Sequence, residues 1–279
     1  EIIIRKARGS PLTIAKVPFA ITSKGLKVYT PPNLETIPAM GSERDLEIPC
    51  SYIRKKLGRI RSGSTVYISY PVDARPYNIL MLLSAGLFLL NKVKVLVFSY
   101  NYPGNDIWFL FMRTVKRILG SDINDSVVKQ LRENIIIKAF NPSSFSIEEL
   151  FSRSLEQISA IKPDIIIMLG IDYILECGDN DKSRDFIRNI SLFNKKMGIT
   201  TIMLGSHDCE HQYLIASSLS NIIVRITTVK DENSLDFKWM LYVWPGGDNP
   251  FIMNADQLER CIREIHTNVG RGAYITNEY

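Results

Sequence analysis

The sequence predicts an α/β protein of three layers: a mostly parallel central sheet, helices on both faces, and an antiparallel strand pair towards the C-terminal end. Three observations lead there. Between Thr65 and Leu169, short apolar runs of strand length alternate with longer stretches of helical period. The runs themselves (TVYIS, VKVLVF, NIIIKA, DIIIML) are rich in β-branched residues and nearly continuous in hydrophobicity, as strands buried on both faces must be. Later in the chain, FKWMLYV alternates, and it follows NIIVRIT across the turn-forming DENS, so these two segments pair antiparallel.

The elements follow in order. Gly63 turns the chain into a first strand, Thr65–Ser69, and an apolar helix covers Pro76–Leu90. Its run LLSAGLFLL, flanked by Asn78 and Lys92, is too short to span a bilayer and reads as a buried helix. Further strands are predicted at Val93–Phe98, Asn134–Ala139, Asp164–Leu169, Thr200–Gly205, Asn221–Thr227 and Phe237–Val243. Helices are predicted at Asp106–Leu119, Asp125–Glu133, Ile147–Ile161, Ser183–Met197 and Ala255–His266. Ser146, with Glu149 three residues on, is a capping box for the Ile147 helix. The Pro-rich segment Thr30–Ser42 is the nearest approach to a domain boundary.

Composition bounds the function. The 279 residues, 46% of them hydrophobic, suffice for one large core with appendages. Four cysteines without a C-x-x-C pair, and no visible signal peptide, predict reduced thiols and a cytoplasmic setting with no membrane partner. A net charge of +5 is modest. Basic residues gather at Arg54, Lys55, Lys56, Arg59 and Arg61, and again at Arg113, Lys116 and Arg117. They leave a nucleic-acid partner open, but no recognised binding motif accompanies them, and solvated helix faces are the plainer reading.

The first strand, its loop and the following helix form the setting of a phosphate-binding loop, G-x-x-x-x-G-K-[ST]. The chain has YPVDARPY there instead. In register, Tyr70, Asp73 and Arg75 replace glycines, Pro76 replaces the lysine and Tyr77 the hydroxyl residue. Bulky side chains close the ring of backbone N–H groups, Asp73 adds a like charge, and Pro76 brings neither cation nor N–H.

Several segments, in order, resemble one RecA-type domain of the KaiC family over residues 41–254. MGSERDLEIP (Met40–Pro49) stands at the family's lead-in. KVLVFSYNYP (Lys94–Pro103) is similar to its second strand, FNPSSFSIEELF (Phe140–Phe151) to a helix entry, AIKPDIIIMLGIDYIL (Ala160–Leu175) to the Walker B strand, and YLIASSLSNIIVRI (Tyr213–Ile226) to a late strand. KARGSPLTIAKVPFAITSKGLKVY (Lys6–Tyr29) resembles the family's closing motif, and VWPGGDNPFIM (Val243–Met253) is a weaker copy. The tail of one domain therefore precedes a nearly whole second one, residues 1–33 before 34–254, with 255–279 as a C-terminal helix and tail; an unrelated β-hairpin arm is the alternative for residues 1–33. With Glu1 in place of Met, the expectation is a fragment of a tandem protein.

The resemblance implies what is missing. The Walker B aspartate matches Leu169, and the Glu pair after the second strand matches Asn101 and Tyr102. Phosphate cradle, Mg²⁺ carboxylate and base are thus all absent, which makes this domain a pseudo-ATPase with no catalytic residue and no cofactor of its own. Asp172 is the remaining carboxylate near Leu169 and reads as a loop border. Lys6 and Arg8 match family cations that reach a neighbouring subunit's nucleotide, so they would serve ATP and Mg²⁺ in the preceding domain; a solvated strand end is the alternative. In the later copy, Val243 and Pro245 stand at those positions.

SHDCEH (Ser206–His211) carries five residues with ligand atoms, His207, Asp208, Cys209, Glu210 and His211, but no second pair at zinc spacing, so no metal is expected. Tyr100, Tyr102, Trp108 and Phe109 lie near the lost site, as core or as contact surface. The resulting expectation is an inactive RecA/KaiC-like module, a scaffold for a homo-oligomeric ring or a partner protein beside an active ATPase domain. The alternative is a divergent nucleotide- or DNA-binding ATPase built on Asp73, Arg75 and Asp172.

Overall fold

The computed structural model describes residues 2–3, 16–17, 19–22, 25–28, 45–72, 86–88, 90–119, 125–176, 180–230, 237–247 and 249–274. Its centre is an eight-stranded sheet. The strands are β5 (Thr65–Tyr70), β6 (Val95–Ser99), β7 (Ile135–Ala139), β8 (Ile165–Leu169), β9 (Thr200–Ser206), β10 (Ile222–Lys230), β11 (Phe237–Pro245) and β12 (Phe251–Met253). Their spatial order is β12-β11-β10-β5-β9-β8-β6-β7. The six strands from β10 to β7 are parallel to one another. The β10–β11 and β11–β12 pairs are antiparallel. The predicted fold class is therefore the observed one, with strand ends moved by three residues at most.

Why the core strands read as continuous apolar runs is visible in their pleat. Successive side chains point to opposite faces. Val95, Val97, Ile165, Ile167 and Leu169 enter one apolar layer, while Leu96, Phe98, Ile166 and Met168 enter the other. The first layer is covered by α1 (Ser51–Leu57), a helical segment ending at Asn91, α2 (Gly104–Leu119), α3 (Asp125–Asn134) and α8 (Ala255–Tyr274). Against the second pack α4 (Ile147–Ile161), α5 (Ile171–Glu176), α6 (Asn180–Lys196) and α7 (Glu210–Ser218). Of the predicted helix Pro76–Leu90, residues 86–88 and 90 are described and helical, with Gly86, Leu87 and Phe88 buried; residues 76–85 and 89 lie outside the described residues.

Helix α4 shows the N-cap half of its predicted box: the Ser146 hydroxyl accepts from the Glu149 N–H at 3.1 Å. The Glu149 carboxylate takes the Arg153 guanidinium one turn on, at 2.9 Å. Beyond the sheet lie two small pairings, β1 (Ile2–Ile3) with β2 (Lys16–Val17), and the hairpin of β3 (Phe19–Thr22) and β4 (Gly25–Val28). The hairpin meets α4, where the Ser152 hydroxyl donates to the Phe19 carbonyl at 3.3 Å. It leaves Ile21 and Leu26 in solvent, 83% and 59% exposed.

Several elements depart from expectation. Among them, α1, α5 and α7 are helices and β12 an edge strand at places for which the sequence predicts neither. SYIRKKL has no acidic residue in its first turn and no side-chain cap, so nothing local announces α1. The expectation of reduced cysteines also fails at one pair: Cys50 and Cys261, 211 residues apart, are disulfide-bonded. Among the described residues, no helix is long and apolar enough to cross a membrane.

Candidate functional site

In open α/β sheets, ligands settle beyond the carboxyl ends of parallel strands, where neighbouring strands send their connections to opposite sides. The strand order creates two such places. β6 leads towards the β7 edge while its neighbour β8 leads towards β9; β5 leads towards β6 while its neighbour β9 leads across to β10.

The crevice between β6 and β8 is occupied by the chain itself. Leu169 ends β8 fully buried, and its carbonyl accepts the Tyr100 N–H at 3.0 Å. Gly170 follows with φ +80°, where a side chain would be strained. A Cβ there would sit 2.8 Å from Cγ of Asn101, so the Asn101 amide fills the space a larger residue would need. Ser99 folds the same turn back, its hydroxyl donating to the Tyr102 carbonyl at 2.7 Å and accepting the Tyr102 N–H at 3.1 Å. Tyr100 packs among Phe98 and Phe140. Burial pushes its phenol far above the ordinary tyrosine range, an effect that the neighbouring Ser154 offsets only in part. The hydroxyl itself is buried and, among the described residues, meets no partner at hydrogen-bonding geometry.

At the second crevice, hydrogen bonds join the chain leaving β5 to the chain leaving β9. Tyr70, at the end of β5, is buried with its ring in the layer beneath α2 and α8. Its carbonyl accepts the His207 N–H at 3.1 Å. The Asp208 carboxylate then accepts from the Ser206 hydroxyl at 2.8 Å and from the Val72 N–H at 2.5 Å. Val72 lies in the segment where a phosphate-binding loop would offer its amides, and its amide points at an anion the protein supplies.

Behind this loop, on the α7 side of the sheet, stands a partly buried polar group. The Tyr67 hydroxyl donates to the Ser206 carbonyl at 3.2 Å, and the Ser69 hydroxyl lies 3.3 Å from Nδ1 of His207. The Arg225 guanidinium sits 5.5 Å from the Tyr213 ring centroid, a cation–π contact. Asp172 is buried in the first turn of α5, and a Cβ on Gly205 would approach its Oδ1 to 3.1 Å. Burial, then the Asp172 carboxylate, drives the Tyr67 phenol well above its ordinary value. Burial, then the Arg225 charge, lowers the pKa of His207, against the pull of Asp208.

The residues singled out from the sequence thus divide. Tyr70, Asn101, Tyr102, Leu169 and Asp172 do gather at the carboxyl edge, whereas Asp73, Arg75, Pro76, Tyr77, Lys6 and Arg8 lie outside the described residues. Of the aromatic set, Tyr100 belongs to one core layer, Trp108 and Tyr102 pack against the other, and Phe109 is 67% exposed. The SHDCEH cluster is split by structure: Ser206 ends β9, the chain bends through Cys209, and Glu210 opens α7. Among the described residues, no three His, Cys, Asp or Glu side chains converge to hold a metal ion. Arg54, once grouped with the basic cluster, pairs with Glu47, and Arg113, Lys116 and Arg117 stay exposed on α2.

Sequence reasoning missed Gly170, Gly205 and Arg225. The signals existed: two glycines immediately beyond or within strand ends, and one arginine inside the apolar run NIIVRIT. No protein-family model matches the chain, and no curated protein matches it in sequence.

Proposed function

We propose that this chain is a catalytically inactive RecA/KaiC-like module, a pseudo-ATPase that serves as an oligomerisation or regulatory scaffold beside an active ATPase domain. The observation that carries the reading is the Asp208 carboxylate on the Val72 N–H, an internal anion in the place of a phosphate. Leu169 and Asn101 support it, since one cannot ligate Mg²⁺ and the other is packed against Gly170. A scaffold also needs surface. Ile21 and Leu26 on the hairpin, with Trp244 and Ile252 near the β12 edge, are apolar and exposed, the kind of surface an assembling partner covers. The competing reading, a divergent ATPase using Asp172, requires a carboxylate that is here buried beneath Gly205.

The test is phosphate release from ATP with Mg²⁺, read beside sedimentation of the same sample. The scaffold reading predicts no release above buffer and a sedimentation profile indifferent to nucleotide. Turnover abolished by Asp172→Asn would overturn it in favour of the divergent enzyme.

A further inference from the structure

The disulfide between Cys50 and Cys261 closes the chain over 211 residues, with Cα atoms 5.0 Å apart. Cys50 is the last residue before α1, and Cys261 lies on the inner stripe of α8 with Leu258 and Ile265. Both cysteines are buried, at 0% and 2% exposure. Yet they also line an open groove of about 430 Å³ between the two helices, walled by Ser51, Tyr52, Lys55, Gln257, Arg260 and Glu264.

We propose that this groove is a thiol-exchange site, in which a small anionic thiol such as glutathione, or a dithiol, reversibly opens the Cys50–Cys261 bond and so unfastens α8. This inference is independent of the pseudo-ATPase reading. Disulfide exchange requires a thiolate to reach one sulfur, and the groove provides the approach. It also requires the displaced sulfur to leave as an anion, and cations beside it assist both events. Lys55 and Arg260 are exposed on the groove walls. The one carboxylate among the lining residues, Glu264, is engaged by Ser51, accepting from its N–H at 2.9 Å and from its hydroxyl at 2.8 Å.

The exchange is balanced in two steps. A thiolate R–S⁻ bonds to one cysteine sulfur while the S–S electron pair passes to the other, which departs as thiolate. A second thiolate then attacks the mixed disulfide at the reductant's sulfur, giving R–S–S–R and releasing the second cysteine, both protein thiolates taking protons from water. The two electrons gained by the protein come from the two reductant thiols. Afterwards α8 keeps Leu258, Ile265 and the Ser51–Glu264 contact, so reduction loosens the helix without removing its docking face.

The experiment uses the intact chain, prepared without reductant and titrated natively with glutathione and, separately, dithiothreitol. Bond state is read by alkylation and mass spectrometry, and α8 by hydrogen exchange. The proposal predicts a closed bond at the start, opening without denaturant, at least tenfold faster exchange over residues 255–274, and a Tm lower by about 10 °C. The Lys55→Glu/Arg260→Glu variant should slow reduction by glutathione, with its two carboxylates, about tenfold more than reduction by dithiothreitol. The Cys50→Ala/Cys261→Ala variant should match the exchange pattern of the reduced chain; if it fails to fold, native reduction of the unaltered chain still decides. Free thiols at the start, a bond that opens only on unfolding, unchanged α8 exchange, or equal slowing for both reductants would each overturn it.

Discussion

Two concave regions of this molecule differ in a way that reverses the usual expectation for the fold. The carboxyl edge of the parallel strands, where α/β proteins keep their ligands, is filled by the chain's own groups: Asn101 against Gly170, Asp172 beneath Gly205, Asp208 on Val72. The junction of α1 and α8 is open, charged and floored by a disulfide. The lesson is that a fold's customary site is a property of backbone topology, whereas occupancy is decided by side chains. Here the topology persists while Asn101 and Asp172 pack against glycine backbone and Asp208 bonds to Val72.

The sharpest way to break this comparison is Leu169→Asp, which places a carboxylate at the end of β8. Leu169 is fully buried, so an unpaired charge there should cost about 3–5 kcal/mol without conferring any response to Mg²⁺. Chemical denaturation with and without Mg²⁺ measures both; stabilisation by the metal would mean the site is recoverable and the crevice open. Next in size is Gly170→Ala. Its φ of +80° and the Asn101 contact at 2.8 Å combine strain with overpacking, for about 2–4 kcal/mol. The double variant with Asn101→Ala should recover the packing part of that loss, and full additivity would show that Asn101 does not fill the crevice. Asp208→Ala removes one acceptor shared by Val72 and Ser206, costing about 1 kcal/mol because the residue is exposed.

The pH dependence is smaller in reach but separates the layers behind the crevice. Tyr67 and Tyr100 have raised pKa values, so the stability they contribute is complete below their ordinary value of about 10 and is lost as pH rises beyond it. Both should stay un-ionised until the fold opens, as absorbance titration of the phenolates can follow. His207 has a lowered pKa, so its contribution is present above about 6.5 and declines as pH falls. Its partial exposure keeps that effect small, and His207→Gln should flatten the acid limb of the stability curve only slightly.

Much of the architecture was legible because the physics behind it is local. A strand buried on both faces is apolar along its length, as β8 is throughout and β6 is up to its last residue, Ser99. The Ser146 cap needs only residues three apart. What escaped depends on distant partners. α1 is short, basic and without a capping side chain, and is tied in place by the disulfide beside it, the Ser51–Glu264 bonds and the Tyr52–Phe251 ring contact. Cys50 and Cys261 have no spacing signal, since connectivity between lone cysteines is not encoded in sequence distance. α7 opens inside the polar cluster Ser206–His211, and its contact with β5 and the Tyr213–Arg225 stacking come from distant strands. At the crevice, the apolar end of β8 at Leu169 was legible in the sequence. The bond from the Val72 N–H to Asp208 was not, because it joins the ends of β5 and β9 across 136 residues of chain.

The most direct test of a sealed carboxyl edge is thermal unfolding of this chain with and without millimolar Mg²⁺–ATP and Mg²⁺–ADP. A ligand present at about 100 times its Kd would stabilise the fold by about 2.7 kcal/mol, several degrees in Tm. The account predicts no shift with either nucleotide, and the same Tm for Asp208→Ala in their presence and absence. A shift of several degrees with the unaltered chain would contradict it, placing a nucleotide in a crevice that Asn101, Tyr70 and Asp208 had to vacate.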